Sequence, residues 1–148
     1  MKLAISSDEK VPLTDHVTDW LTQHGHELVL CGSLKGQTEW WPRASQELAE
    51  LVAAGECEQG ILFCYTGTGA SIAANKVPGI RAALCVDAQT AIGARRWNHA
   101  NVLTMAYRNT TETVADEILA AWFAAPLGVG EDAETVDLVA EIERKYSK

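Results

Sequence analysis

Short apolar runs alternate with longer segments of helical periodicity along most of the chain. The apolar runs lie at 3–6, 27–31, 59–64, 80–85 and 101–105. The segments with helical spacing lie at 11–24, 44–54, 71–75, 88–97, 112–123 and 134–146. Five strands that alternate with helices favour a parallel sheet with right-handed crossovers, covered on both faces. We therefore predict an α/β fold, namely a three-layer α/β/α sandwich with a five-stranded parallel sheet of Rossmann-like type.

The third apolar run ends on a thiol, Cys64, and a glycine-rich turn follows it into the next helix. Open α/β sheets bind their ligands at the carboxyl ends of strands. Gly67 and Gly69 allow backbone amides to turn toward such a ligand. Nearby hydroxyls belong to Thr66, Thr68 and Ser71. The segment predicts a site for a polar, oxygen-rich small molecule; alternatively, the glycines only permit the turn and Cys64 is a small buried hydrophobic residue.

Two better-known glycine motifs do not fit this segment. A P-loop requires Gly-Lys-Ser/Thr after its first glycine and four further residues, whereas Lys76 follows Asn75 inside the predicted helix. A dinucleotide fingerprint requires a third glycine, and that position is Ile72. The turn is therefore not assigned to nucleotide binding.

Composition and charge limit the partners that we expect. A chain of 148 residues that is 47% apolar is sized for a single domain, 1–148. Its net charge of -8 and pI near 4.9 argue against nucleic acid as a partner. No apolar run is long enough to cross a membrane, and the N-terminal segment meets an acid at Asp8, too early for a signal peptide. We expect a cytoplasmic protein with four free thiols.

Polar side chains collect where the predicted strands end. In a parallel sheet these ends share one edge. The residues gathered there are Asp8, Glu9, Cys64, Asp87, Tyr107 and Arg108. The acids also suit the N-termini of the helices that follow them, so capping is an alternative to a catalytic role.

Several motifs make the chain resemble the ribose-5-phosphate isomerase B family, which includes the two subunits of galactose-6-phosphate isomerase. The likeness runs nearly end to end and is most specific from Cys64 to Lys76. It is supported by the N-terminal segment 2–8, by 77–82, and by Asn98 with 101–103.

The resemblance implies an aldose–ketose isomerase that works through an enediolate without a metal or organic cofactor. It implies that Cys64 is the base, a role in which adjacent amides favour the thiolate. It also implies that Asp8 handles sugar oxygens, that Thr66 assists ring opening, and that the turn holds the enediolate oxygens. The implied substrate-binding residues are Gly67, Thr68, Gly69, Ala70, Ser71, Asn98 and Arg108. The family site lies between two subunits, which implies a homodimer or a dimer of dimers.

The chain departs from the family pattern at several site positions. Glu9 stands where ribose-5-phosphate isomerases have a histidine, and an acidic pair at that point is similar to one galactose-6-phosphate isomerase subunit. Trp41 replaces a tyrosine that lines the sugar pocket. The ring-opening histidine falls at Trp97, and His99 is a candidate substitute that a helix would turn by about 200°.

The phosphate-binding positions also differ. Glu131 and Thr135 stand where the family has two arginines, while Arg108 matches an arginine that is retained. Exchanging an arginine for a carboxylate turns attraction to a phosphate into repulsion. We therefore expect the proton-transfer residues to act on a sugar or sugar derivative other than ribose 5-phosphate. The alternative is a non-catalytic or paralogue-dependent sugar-binding subunit.

Overall fold

The computed structural model describes residues 1–147, and its strands form one parallel sheet. The strands are β1 (Lys2–Ser7), β2 (Glu27–Gly32), β3 (Gln59–Cys64), β4 (Ala82–Leu84) and β5 (Val102–Ala106). Their order across the sheet is β2-β1-β3-β5-β4. The helices are α1 (Pro12–Gln23), α2 (Trp41–Ala53), α3 (Thr68–Ala74), α4 (Ala88–Asn98), α5 (Glu112–Ala124) and α6 (Glu131–Tyr146), with a 3₁₀ turn at Ser33–Lys35. The predicted fold class and five-stranded parallel sheet are confirmed.

The sheet separates two apolar cores. Ile61 and Phe63 of β3 pack into a cluster with residues of α1, α4 and α5. Leu62 and Cys64, which point to the opposite face, pack with residues of α2 and α3. This alternation produces the three predicted layers. The helix α6 lies beside α4 and contains no buried residue.

The chain changes direction across the sheet between β1 and β3. From β1 it runs outward to β2 and then crosses back to β3 on the other side of β1. Ser7 at the end of β1 pairs with Phe63 near the end of β3. Asp8 and Cys64 therefore leave neighbouring strands at the point where α/β sheets usually open a ligand crevice.

The observed boundaries of β4 and α2 differ from those that the sequence predicts. The edge strand β4 is shorter than the predicted 80–85, and side chains bond the backbone where it begins. Asn101 Oδ1 accepts the Arg81 N–H at 2.8 Å just before the strand, and Asn75 Oδ1 accepts the N–H of its first residue, Ala82, at 2.8 Å. The helix α2 starts three residues early, at Trp41 instead of 44, because Pro42 in its first turn is compatible with a helix start.

Candidate active site

Cys64 borders a cavity at the carboxyl edge of the sheet. Its side chain is only 5% exposed, yet it lines a cavity of about 310 Å³. The backbone N–H of Gly67 donates a hydrogen bond to Cys64 Sγ at 3.2 Å. The other lining residues are Asp8, Trp41, Tyr65, Thr66, Thr68 and Gly69. Cys64 thus lines the cavity although it is nearly buried, and its sulfur accepts from a backbone donor of the kind that stabilises a thiolate.

The turn after Cys64 leads into α3, whose first backbone amides have no acceptor within the helix. Gly67 adopts a left-handed conformation with φ of 76°, and a Cβ there would collide with Leu84. The first helical hydrogen bond of α3 runs from the Ser71 N–H to the Gly67 carbonyl at 3.1 Å. The amides of Thr68, Gly69 and Ala70 precede that bond and have no acceptor within the helix. Thr66 Oγ1 and Thr68 Oγ1 are 2.7 Å apart.

Asp8 follows the end of the neighbouring strand β1 and lines the same cavity as Cys64. The Ser33 hydroxyl donates to its carbonyl oxygen at 2.5 Å and so fixes the backbone. The Tyr107 hydroxyl donates to its Oδ1 at 3.1 Å. The carboxylate is therefore held at one oxygen and keeps acceptor capacity for a ligand.

Aromatic rings form the sides of the cavity. Trp41 lies against Gly69, where an added Cβ would come within 3.1 Å of the indole ring. Tyr65 packs edge-on against Tyr107 with ring centroids 5.8 Å apart. The Arg108 guanidinium lies over Tyr65, 5.5 Å from its ring centroid. Trp41 and Tyr65 therefore line the cavity, and the exposed Arg108 lies beside Tyr65.

The remaining predicted residues Ala70, Ser71 and Glu9 do not line the Cys64 cavity. Ala70 is fully buried under the loop, and Ser71 Oγ is buried without a hydrogen-bond partner among the described residues. Glu9 lines an adjoining cavity of about 400 Å³ that also includes Asp8. The structure thus brings Asp8, Trp41, Cys64, Thr66, Thr68 and Gly69 together and places Glu9 beside them.

Asn98 lies on a separate surface. With Trp97 and Thr135 it lines a second cavity, of about 290 Å³, that shares no residue with the Cys64 cavity. The Trp97 ring covers Gly93, where an added Cβ would come within 2.8 Å of it. Within one chain, the predicted site residues therefore fall into two groups.

His99 belongs to neither group. It ends α4 in a left-handed conformation with φ of 47°. Its Nε2 lies 2.7 Å from the Gly128 carbonyl oxygen and ties α4 to the connection before α6. This placement argues against His99 as a substitute for the ring-opening histidine, because its ring is engaged away from both cavities.

Two residues beside Cys64 have positions that the sequence does not predict. The strand pattern places Tyr107 only at the end of a strand and assigns no role to Tyr65. Position was the available signal, because Tyr65 directly follows Cys64 and Tyr107 follows β5, which pairs with β3. Their contacts with each other and with Asp8 depend on the folded chain.

Among residues 1–147, no group of three or more His, Cys, Asp or Glu is arranged to hold a metal ion. No helix in the same part of the chain is long and apolar enough to span a membrane.

The four cysteines are expected to differ sharply in reactivity. Burial raises the pKa of Cys31 and of Cys85 to about 12, and it also raises the pKa of Cys57. A thiol with such a pKa is ionised to only about one part in 10⁵ at pH 7. Iodoacetamide should therefore alkylate Cys64 first near neutral pH, as read by peptide mass spectrometry. Equal labelling of Cys31 and Cys64 would show that the sulfur beside the cavity has no special access.

The chain matches proteins of known type along nearly its full length. The family model described as Ribose/Galactose Isomerase matches residues 3–139. D-erythrulose-4-phosphate isomerase of Pectobacterium atrosepticum is 34% identical, over 98% of this chain and 97% of the relative. 4-deoxy-4-sulfo-D-erythrose isomerase of a Clostridium species is 38% identical, over 71% and 67%. The solved ribose-5-phosphate isomerase B of Clostridium thermocellum superposes with a TM-score of 0.94 at 39% identity, over 99% and 100%.

Proposed function

The chain belongs to the ribose/galactose isomerase family, and we propose that it interconverts an aldose and a ketose with Cys64 as the base. The observation that carries this proposal is the position of Cys64. This residue lines a cavity together with the carboxylate of Asp8 and the hydroxyls of two threonines, and a backbone N–H donates to its Sγ. Carboxylates and hydroxyls are suitable partners for the hydroxyl groups of a sugar.

The proposed reaction moves one proton and no external electrons. The Cys64 thiolate removes the proton from the carbon beside the carbonyl, and the C–H electron pair forms the enediolate double bond as the carbonyl oxygen gains charge. The free amides of Thr68, Gly69 and Ala70 stabilise that charge. The Cys64 thiol then gives the proton to the former carbonyl carbon, and this transfer regenerates the thiolate. Because oxidation of one carbon balances reduction of the other, the reaction needs no co-reactant.

Asp8 and Thr66 act on the oxygens of the sugar. One carboxylate oxygen of Asp8 accepts from Tyr107, and the other is available to accept from the hydroxyls that exchange roles during isomerisation. Thr66 shares a hydrogen bond with Thr68 and can pass a proton to the ring oxygen as the sugar opens.

We propose that the complete site forms between two copies of the chain. The Cys64 cavity and the Asn98 cavity are separate within one copy. Apolar residues of α6, which has no buried residue, offer a face for a second copy. They are Leu138 at 55% exposure, Val139 at 50% and Ile142 at 61%. A homodimer, or a dimer of dimers, would join the two cavities.

We also propose that the enzyme is cytoplasmic, because its four free cysteines suit a reducing compartment.

The proposed substrate is not ribose 5-phosphate. Asp8 and Glu9 place carboxylates in the two adjoining cavities, and Arg108 already lies over Tyr65. Thr135, at a position where the resemblance implies an arginine, lines the Asn98 cavity. Each charge-assisted hydrogen bond that is lost costs about 1.5 to 3 kcal/mol. The named substrates of the relatives also differ, since one carries a phosphate and another a sulfo group.

We expect the purified chain to prefer an unphosphorylated aldose. Assays with D-erythrose, D-ribose, D-allose and ribose 5-phosphate should give a lower kcat/KM for the phosphate than for the best unphosphorylated sugar. Two missing charge-assisted hydrogen bonds, about 3 kcal/mol in total, remove the binding advantage of a phosphate, and the nearby carboxylates repel the dianion. Turnover of ribose 5-phosphate as efficient as that of the best sugar would contradict this choice of substrate.

One observation favours a second candidate function, that of a subunit which depends on a paralogue. The Asn98 cavity contains Trp97, an indole that cannot act as a general acid, where the resemblance implies a histidine. A paralogue could supply that group across the interface. Activity of the isolated chain on any aldose of the panel would exclude this alternative.

A further inference from the structure

Tyr107 is held firmly beside the Cys64 cavity although it does not line it. Its backbone N–H donates to the Cys64 carbonyl at 3.1 Å. Its ring packs edge-on against Tyr65 with an interplanar angle of 63°. The phenol therefore reaches Asp8 from a fixed backbone and a supported ring, at 3.1 Å from hydroxyl to Oδ1.

The Tyr107 hydroxyl acts as a donor in this contact. Burial raises the pKa of Tyr107, and the charges of Asp8, Glu9 and Cys64 together with the hydrogen bond to Asp8 raise it further. The phenol thus stays protonated at any pH at which an enzyme normally works. An ionised carboxylate has only acceptor sites, so the direction of the hydrogen bond is fixed.

Fixing one carboxylate oxygen determines where the other one lies. The terminal torsion of an aspartate is broad and roughly two-fold, so an unrestrained Asp8 would sample many orientations. A hydrogen bond to Oδ1 selects one of them before the substrate arrives. Preorganised acceptors of this kind contribute most when charge and protons move in the transition state.

We propose that Tyr107 is a positioning residue, which orients the Asp8 carboxylate for proton movement between the sugar oxygens. The proposal rests on the isomerase function proposed above. A positioning role differs from a packing role, because the effect of Tyr107 on the reaction then depends on Asp8.

A double-mutant cycle tests this dependence. With the best aldose of the panel of D-erythrose, D-ribose and D-allose, Tyr107→Phe should lower kcat about tenfold and change KM less than about twofold, since one hydrogen bond to a charged group is removed. In an Asp8→Ala background, which has no side-chain oxygen for Tyr107 to orient, the same substitution should change kcat less than about twofold. Thr22→Val is the control, because it also removes one side-chain hydroxyl that donates a hydrogen bond, here from the exposed end of α1 to the Thr18 carbonyl oxygen, and it should leave kcat unchanged.

Equal losses of kcat from Tyr107→Phe in both backgrounds would overturn the proposal, because Tyr107 would then act independently of Asp8. An unchanged kcat in the wild-type background would overturn it as well.

A titration of the tyrosines tests the contact between Tyr107 and Asp8 independently of the isomerase function. If no aldose is turned over, the proposed function fails, and the contact can still be measured by ultraviolet absorbance of the phenolates. The protein has three tyrosines, and the ionisation step of Tyr107 is the one that disappears in Tyr107→Phe. This step should move to lower pH in Asp8→Asn, because a neighbouring negative charge is removed. An unmoved step would show that Tyr107 and Asp8 are uncoupled and would overturn the positioning role.

Discussion

Replacing Cys64 with serine is expected to lower the isomerase rate by about 10² to 10⁴, the usual contribution of a general base. The serine hydroxyl can still accept the Gly67 N–H, which donates to Sγ at 3.2 Å in the native chain. The loop geometry should therefore survive. An alcohol does not ionise near neutral pH, so the variant has no base at the cavity floor. The measurement is kcat on the best aldose of the panel, together with a thermal unfolding curve.

Cys57→Ser is the matched control for this substitution. Cys57 is also buried but does not line the cavity. Its replacement should cost some stability, because a hydroxyl enters an apolar cluster, and should leave kcat within about twofold. A Cys64→Ser variant that keeps more than a tenth of the native kcat would assign the proton transfer to another group.

Replacing Gly67 with alanine is expected to damage both stability and activity. A side chain at positive φ costs about 1 to 2 kcal/mol. The added methyl also comes too close to the end of the Leu84 side chain, which must shift, and we expect this overpacking to add about 1 kcal/mol. The free energy of unfolding should fall by about 2 to 3 kcal/mol in total, as measured by urea denaturation. Displacement of the Gly67 amide from Cys64 should also lower kcat.

Gly55→Ala distinguishes the backbone penalty at positive φ from the cost of the contact with Leu84. Gly55 has φ of 75°, close to the 76° of Gly67, but nothing lies within 4 Å of the position of its added Cβ. Its substitution should therefore cost only the backbone penalty of about 1 to 2 kcal/mol and leave activity unchanged. Equal losses of stability in both variants would mean that the contact with Leu84 does not constrain the loop.

The sheet, and the placement of Asp8 and Cys64 at one edge of it, could be predicted from the sequence because both follow from local signals. Apolar runs located the strands, and the rule that ligands bind at strand ends brought Asp8 and Cys64 to one edge. The structure adds that β1 and β3 are direct neighbours, which strand runs alone do not specify.

Other features required the folded chain. The hydrogen bond between Tyr107 and Asp8 joins residues 99 positions apart, and no periodicity predicts such a pair. The early start of α2 places Trp41 on a helix instead of a loop, so its ring is directed by the helix against Gly69. The His99 ring is directed by a left-handed helix end, a backbone state that is uncommon for residues other than glycine.

The most direct test of the central claim follows hydrogen at the substrate carbon in deuterated water. With the native chain and the best aldose of the panel, NMR should show deuterium entering at the carbon beside the carbonyl, because a proton held by a thiol exchanges with solvent. Cys64→Ser should slow this incorporation by about 10² or more. Deuterium uptake at the native rate in Cys64→Ser would contradict a proton transfer carried by this cysteine.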